Sequence, residues 1–526
     1  MKRRIYRRPA LLMAAVTMAL LVAALGASSA SAVFKKLPNG HIVSYQPLRG
    51  AASKLKKYDL AFNNMDYNGG PIMPTNTDYM IVWSPKGLGV FPSEYIPGIA
   101  RYFQDLAHDS GGNQNVDSVS TQYNDLTGAS AHYAVTFGGV LLDTDPYPAS
   151  QCPANGPVTN CLTDAQIQHE LQVFTTAHNL PQDLTHEYFA FTPPHVGSCF
   201  SNTPPSFGGC SIVIDPINLA VFCAYHQNTF TAPMLFYGNM PYIAGQRGCD
   251  TGNHPNGPSD ATVNALSHEH NESITDPMPN DTWTNGAGPD HGFEVGDQCN
   301  FNFGTPLGIV PGTKDTKYNQ VINGHFYWTQ EEWSNQGHTC LQRWSPTESS
   351  PTATFTATAA GGTTMNFDAT GSTAPGGVAL FSWQFNDAFG APTQESPSPM
   401  ISHTFPEPGP YSTGLTVYAA DGLASGNGGI IDTGHNGFIP GFDFSPASPT
   451  TGQTVTFHGL KIISRQPVSN YLWEFGDGTT GSGRNPTHTY TAPGTYTVTV
   501  VQFSGVGSAF PGAGAGPVSQ RTITVS

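Results

Sequence analysis

In residues 259–277 the chain sets His268, Glu269 and Glu272 in the spacing His-Glu-x-x-Glu, with His270 inside it. The stretch reads as a helix, with Ser259 as N-cap, an acid beside it, and Pro277 as its stop. At about 100° per residue, Val263, Leu266, His270 and Ile274 share one face, and His268 and Glu272 stack on roughly the opposite one. An imidazole and a carboxylate one turn apart can hold the same cation, and Glu269, next round the helix, can reach a water on it. This is the logic of the HExxH zinc helix with Glu in place of the second His. It makes zinc the expected ion, Glu269 the expected general base and hydrolysis the expected reaction. The added carboxylate leaves the site more anionic and less polarising than a second imidazole would. His270 is expected in the core or behind the ligands; on a strand it would share a face with His268 instead. The competing reading is a capped helix whose charges face solvent.

A zinc site takes a third protein ligand from elsewhere in the chain. Residues 290–299 offer His291, Glu294 and Asp297, and the run Cys223-Ala-Tyr-His226 offers His226. Asp297 is the expected third ligand, with Glu294 and His226 as alternates, any of which could instead orient a ligand. The chain has no GxSxG, which argues against a nucleophile-elbow serine hydrolase. A glycoside hydrolase working with two acids stays open, because carboxylate separations cannot be read from sequence.

The elements that must position these residues belong to an exported chain. Lys2, Arg3, Arg4, Arg7 and Arg8 precede an apolar run over residues 11–25 and then Ala30-Ser31-Ala32, the three parts of a signal cleaved after Ala32. No later stretch is apolar for long enough to span a bilayer. Residues 33–57 are expected to be a propeptide or, preferably, an exposed extension. Losing the five basic signal residues takes the formal charge from −16 to −21, which argues against a nucleic-acid partner. A charged fraction of 11%, with 58 Gly and 44 Pro, points to strands and turn-rich loops. All eight cysteines lie between Cys152 and Cys340, so four disulfides are expected in one domain. Among 105 possible connectivities, sequence proximity suggests Cys152 with Cys161, Cys199 with Cys210, Cys223 with Cys249 and Cys299 with Cys340. Cys-ligated zinc or a cysteine nucleophile is disfavoured, since no CxxC occurs and oxidation would compete.

Residues 345–354, rich in Ser, Pro and Thr, read as a linker. Beyond it come two segments of alternating apolar residues and turn signals, 355–440 and 441–526. The second contains Trp473-Glu-Phe475-Gly476-Asp477-Gly478, His488-Thr-Tyr490 and Pro493-Gly494-Thr-Tyr496-Thr-Val498-Thr-Val500. This closely resembles the PKD (polycystic kidney disease) domain. The first copy is more divergent, with Trp383-Gln-Phe385-Asn386-Asp387, His403-Thr-Phe405 and Pro408-Gly409-Pro410-Tyr411. The resemblance implies Ig-like sandwiches serving as spacers or as binders of protein or polysaccharide surfaces. Trp473 and Phe475 are expected in the core, with the Gly-Asp-Gly run as a turn.

The domain over residues 58–344 resembles the phosphate-induced protein or EXORDIUM-like superfamily, in its microbial secreted form. The resemblance is carried by Tyr67-Asn-Gly69-Gly70-Pro71, Tyr79-Met-Ile-Val-Trp83, Cys223-x-x-His226, Ser267-His268-Glu269 with Thr275-Asp276-Pro277, Glu294-Val-Gly-Asp297-x-Cys299 and Gln330-Glu-Glu-Trp333-Ser334-Asn335. The expected architecture is a disulfide-bearing α+β domain with a zincin-like mixed sheet, followed by two all-β sandwiches. The leading expectation is a secreted, monomeric zinc peptidase held on an extracellular protein or polysaccharide by its PKD-like domains. A noncatalytic cell-wall protein, as the plant relatives suggest, is the alternative, beside the glycoside hydrolase.

Overall fold

The computed structural model describes residues 34–36, 42–49, 64–125, 131–154, 158–204, 207–211, 220–229, 233–279, 281–285, 293–345, 351–374, 377–387, 394–419, 424–463, 470–503 and 515–526. Residues 1–32, expected to be a signal, and His291 lie outside them.

The amino-terminal domain is organised on one ten-stranded sheet. Its strands are β1 (Phe34–Lys36), β2 (Ile42–Pro47), β3 (Asn76–Trp83), β4 (Val135–Asp143), β5 (Asn160–Thr163), β6 (His186–Thr192), β7 (Val196–Cys199), β8 (Cys210–Ser211), β9 (Ala220–Asn228) and β10 (Phe236–Pro241). They run in the order β4-β3-β6-β10-β9-β8-β7-β5, and β2 pairs with both β1 and β9. The sheet is mixed: β4, β3, β6 and β10 are parallel neighbours, and β9 lies antiparallel to β10. Parallel strands must be covered on both faces, and β6 and β10 are buried along nearly their whole length.

Period-2 alternation sorts the side chains into two cores. Met80, Val82, Phe189, Phe191 and Met240 face helices α1 (Tyr95–His108) and α3 (Asp260–Thr275). Ile81, Trp83, Tyr188, Ala190 and Tyr237 face α2 (Asp164–Ala177). All four cysteine pairs expected from sequence proximity form disulfides.

Each carboxy-terminal segment is a sandwich of two antiparallel sheets. In the first, Thr356–Gly361, Thr364–Asp368 and Met400–Thr404 form one sheet; Val378–Gln384, Pro410–Ala419 and Ala424–Asp432 form the centre of the other. Trp383 and Trp473 are fully buried at the two centres. In both copies a histidine stacks on the Phe of the tryptophan motif and pairs with the Asp of the turn. His403 and His488 lie 3.9 and 4.3 Å from the rings of Phe385 and Phe475, and 2.7 and 2.8 Å from Asp387 and Asp477. Where the second copy uses Gly476 at φ 80°, the first uses Asn386 at φ 51°, the residue that best tolerates this left-handed geometry after glycine.

The first sandwich begins inside the stretch expected to be linker. Thr352 bridges Thr373, and Ala353 is buried in the sandwich core. Nor do the sandwiches hang free. Asn124 exchanges bonds with the backbone of Gly426 at 3.0 and 3.1 Å, and Leu472 and Val501 share a core with Met73, Met234 and Phe236. Among the described residues, no helix is long and apolar enough to cross a membrane.

Candidate metal centre

Helix α3 spans the expected stretch, with Ser259 at the N-cap and Asp276-Pro277 at its end. Ser259 makes no capping bond; it packs against Gly98 of α1, where an added Cβ would meet the serine Cβ at 2.8 Å. The first turn is instead braced by Asp260, whose carboxylate accepts from the Asn256 N–H at 2.6 Å. At the other end Asp276 accepts from the amides of Asp281 and Thr282 at 3.1 and 2.9 Å.

All sixteen residues of α3 are buried. The solvent-facing alternative is thereby excluded. The helix lies between the sheet and the segment 293–335, so both faces are interior. His268 and Glu272 share the face toward that segment, with Nε2 and Oε1 3.2 Å apart. His270 points elsewhere: its Nε2 lies 3.1 Å from Asp78 and its Nδ1 3.4 Å from Asp117, between the rings of Phe103 and Phe189.

The structure gathers His268, Glu272 and Asp297 into one triad and His226, Glu272 and Glu294 into a second, with ligand atoms within 4.8 Å of one another in each. The two triads share Glu272. Asp297 lies on a 3-10 turn (Asp297–Cys299) tied down by Cys299–Cys340. Its Oδ1 is 3.6 Å from His268 Nε2, and its N–H donates to Glu272 Oε1 at 2.9 Å. His226, on β9, reaches Glu269 Oε2 at 3.0 Å, Glu272 Oε2 at 3.7 Å and Glu294 Oε1 at 3.6 Å.

Three contributors were not among the expected site residues. The Gln330 amide contacts His268 Nδ1 and the Gly296 carbonyl, each at 2.8 Å. Glu332 is fully buried close by, with both carboxylate oxygens unpartnered. Gly296 lets the loop close on the helix: a Cβ there would lie 2.8 Å from His268 Nδ1 and 2.9 Å from Glu272 Oε1. Gln330 and Glu332 belong to the Gln-Glu-Glu-Trp run, so the signal was present in the sequence, but nothing in its spacing tied it to α3.

Seven of these side chains, His226, His268, Glu269, Glu272, Glu294, Asp297 and Glu332, are at most 1% exposed. No lysine or arginine is buried anywhere among the described residues. Burial, reinforced by Glu294 and Glu269, pushes Glu272 well above the usual carboxylate range. Burial and Glu272 do the same to Asp297, and burial to Glu332. Burial alone would lower His226, but Glu294 and Glu269 carry it well above its ordinary value. His268 Nε2, Glu272 Oε2, Glu294 Oε1 and Asp297 Oδ1 have no hydrogen-bond partner. Bare buried polar atoms cost about 1–3 kcal/mol each, more when charged. A hard or borderline divalent ion suits this nitrogen-and-oxygen donor set and would satisfy several of them together.

The roof of the cluster is β2. Residues 43–47 are buried, so this part of the amino-terminal segment is not the expected exposed extension. The Gln46 N–H donates to Glu269 Oε1 at 3.0 Å, its side-chain amide donates to Gln330 at 3.2 Å, and the Ser44 hydroxyl donates to Glu294 Oε2.

The PKD domain family model matches residues 348–429 and 440–509. Collagenase ColA of Bacillus cereus is 47% identical over 55 residues, which make up 10% of this chain and only 6% of the collagenase. Among solved structures, the PKD1 domain of Vibrio anguillarum Epp is 20% identical, with 16% of this chain and 94% of that one covered and a TM-score of 0.14. Chitinase ChiA74 from Bacillus thuringiensis is 12% identical, covering 35% of this chain and 28% of the chitinase with a TM-score of 0.16. The carboxy-terminal region of the chain carries two PKD domains.

Proposed function

We propose that this chain is an exported metal-dependent hydrolase, a peptidase, with His268, Glu272 and Asp297 as ion ligands and Glu269 as general base. The observation that carries the reading is the set of bare ligand atoms converging where, among the described residues, no buried ammonium or guanidinium neutralises them. Zinc accepts such a mixed set and, when bound, would polarise a substrate carbonyl and ease loss of a proton from water. Glu269 is suited to take that proton. His226 holds its Oε2 at 3.0 Å, which leaves Oε1 as the working oxygen. Ligation by His268 through Nε2 needs the ring proton on Nδ1, where Gln330 now presents its Nε2, shared with the Gly296 carbonyl; ion binding therefore requires the Gln330 amide to turn and give up that bond and those its Oε1 accepts from Gln46 and the Phe301 N–H. Glu294 and His226 are the alternate ligands, reached through the other oxygen of Glu272. A peptide fits better than a sugar because the group already resting on Glu269 Oε1 is a main-chain N–H. The PKD domains, packed on the amino-terminal domain, would hold it against an extracellular surface.

A structural ion in a noncatalytic protein is the second reading, favoured by the near-zero exposure of the cluster. Elemental analysis of the purified chain, with casein turnover compared between wild type and Glu269→Gln, separates the two. The peptidase reading expects a stoichiometric ion in both proteins and turnover lost only in the variant. Equal turnover eliminates Glu269 as the base, and a chain without bound ion eliminates the metal centre.

A further inference from the structure

We propose that β2 is a built-in occupant of the site's own substrate track, an extended strand that lies where a peptide substrate would pair with β9 and holds the centre shut. The inference rests on the hydrolase reading for the identity of the site, and on strand geometry for the rest.

The two edges of β9 have different partners. One is shared by β8, parallel at Ala220 and Phe222, and β10, antiparallel over Tyr225–Asn228; along the other lies β2, antiparallel, with Pro47, Gln46, Tyr45 and Ser44 opposite Phe222, Ala224, Tyr225 and His226. From Ala224 to His226, β2 is the partner on that side among the described residues. A main-chain ladder does not depend on side-chain identity, so the edge that accepts β2 would accept another extended peptide running the same way.

The alternation of β2 specifies what that peptide should look like. Val43 and Tyr45 enter the core on the α2 side, where the Tyr45 ring lies 5.5 Å from Phe200. The Ser44 and Gln46 side chains point the other way, onto Glu294 and Gln330, and the Gln46 main-chain N–H meets Glu269. The track therefore suits an extended peptide with large apolar residues at alternate positions and small or polar residues between them. With β2 in place, the Glu269 oxygen assigned as proton acceptor is already bonded to the Gln46 N–H. The strand is removable in principle. Among the described residues it is preceded only by the short β1, and in the sequence it is followed by residues 50–63, which carry Lys54, Lys56 and Lys57.

The test is to place a site-specific protease sequence within residues 50–63 of the full chain, cut it, and separate the released segment in mild urea. Two readouts follow: binding of a fluorescent peptide copying residues 41–49, by anisotropy, and turnover of casein. The cut chain is expected to bind the peptide saturably, at least ten-fold more tightly than the intact chain. It should also turn over casein at least ten-fold faster, with the added peptide restoring inhibition competitively. Gln46→Pro in the uncut chain removes the N–H on Glu269 and should raise turnover in the same direction without any cut. A folded cut chain that does not bind the peptide, or that hydrolyses casein measurably but no faster than the intact chain, overturns the proposal. Binding of the peptide with no hydrolysis by either form leaves β2 as the occupant and removes the hydrolase reading instead.

Discussion

Gly296→Ala is a demanding test of the metal centre, because it adds one methyl group and changes no charge. Gly296 has φ −77° and ψ −39°, a conformation alanine adopts freely, so the backbone contributes no strain. The new Cβ would lie 2.8 Å from His268 Nδ1, 2.9 Å from Glu272 Oε1 and 3.1 Å from Glu332 Oε2, where ordinary contact begins at 3.4 Å. His268 and Glu272 must each retreat by about half an ångström, but ligand distances tolerate only about 0.2 Å. Neither has room: α3 is buried throughout, and Glu272 Oε1 is also held by the Asp297 N–H. Displaced supports of this kind cost about 10–100-fold in metal affinity, or roughly 1.4–2.7 kcal/mol. Overpacking adds about 1–3 kcal/mol to the loss of stability. Zinc competition against a chromophoric chelator gives the first quantity, and urea melts in chelator give the second. Gly89→Ala, where a Cβ meets nothing within 4 Å, is the control. Wild-type zinc affinity in Gly296→Ala would refute the placement of His268 and Glu272 as ligands.

Three other outcomes follow from the structure. Replacing Cys299 and Cys340 with alanine opens a 41-residue connection and should lower stability by about 4 kcal/mol in urea melts; zinc affinity should fall too, because Asp297 sits on the same turn. Burial pushes the Asp164 carboxyl up to about 6, against bonds from Tyr237, Tyr225 and Gln168. The folded state thus keeps this proton while the unfolded chain loses it, so the group's contribution declines as pH rises from about 4 to about 6 and stays lost above that. Asp164→Asn should therefore exceed wild type in stability by up to about 3 kcal/mol at pH 7 and match it near pH 4, and an equal difference at both would exclude this cause. Tyr418→Phe removes the hydroxyl lying 2.8 Å from the Met65 carbonyl and 2.6 Å from Asp66; calorimetry should show about 1–3 kcal/mol lost where the first sandwich meets the amino-terminal domain.

Local signals were the legible ones. Pro277 and the acid after Ser259 bound α3 correctly, the four disulfides join neighbours in sequence, and the Trp-x-Phe motifs sit at sandwich centres. His270 lies away from the ligands because 3.6-residue periodicity alone sends it there. What the sequence hid was everything set by distant partners. A helix with three carboxylates, Asp260, Glu269 and Glu272, reads as half-exposed, and only the fold of 293–335 over it makes it interior. The composition of 33–57 says nothing of β2, because a ladder is made by main-chain groups. Gly296 looks like any loop glycine until α3 is placed beside it.

Tyr45 pairs with Tyr225, 180 positions further along the chain. Closing a loop of that length costs about 4–5 kcal/mol of chain entropy before any contact is made, which a strand of six residues cannot offset until its neighbours are already in register. The pairings of β3 with β6 and of β6 with β10 close shorter connections, so β2 is expected to join after them. A strand early in the chain is thus expected among the last to settle, and until it does Glu269 and Glu294, the carboxylates it covers, face solvent and whatever ions it contains.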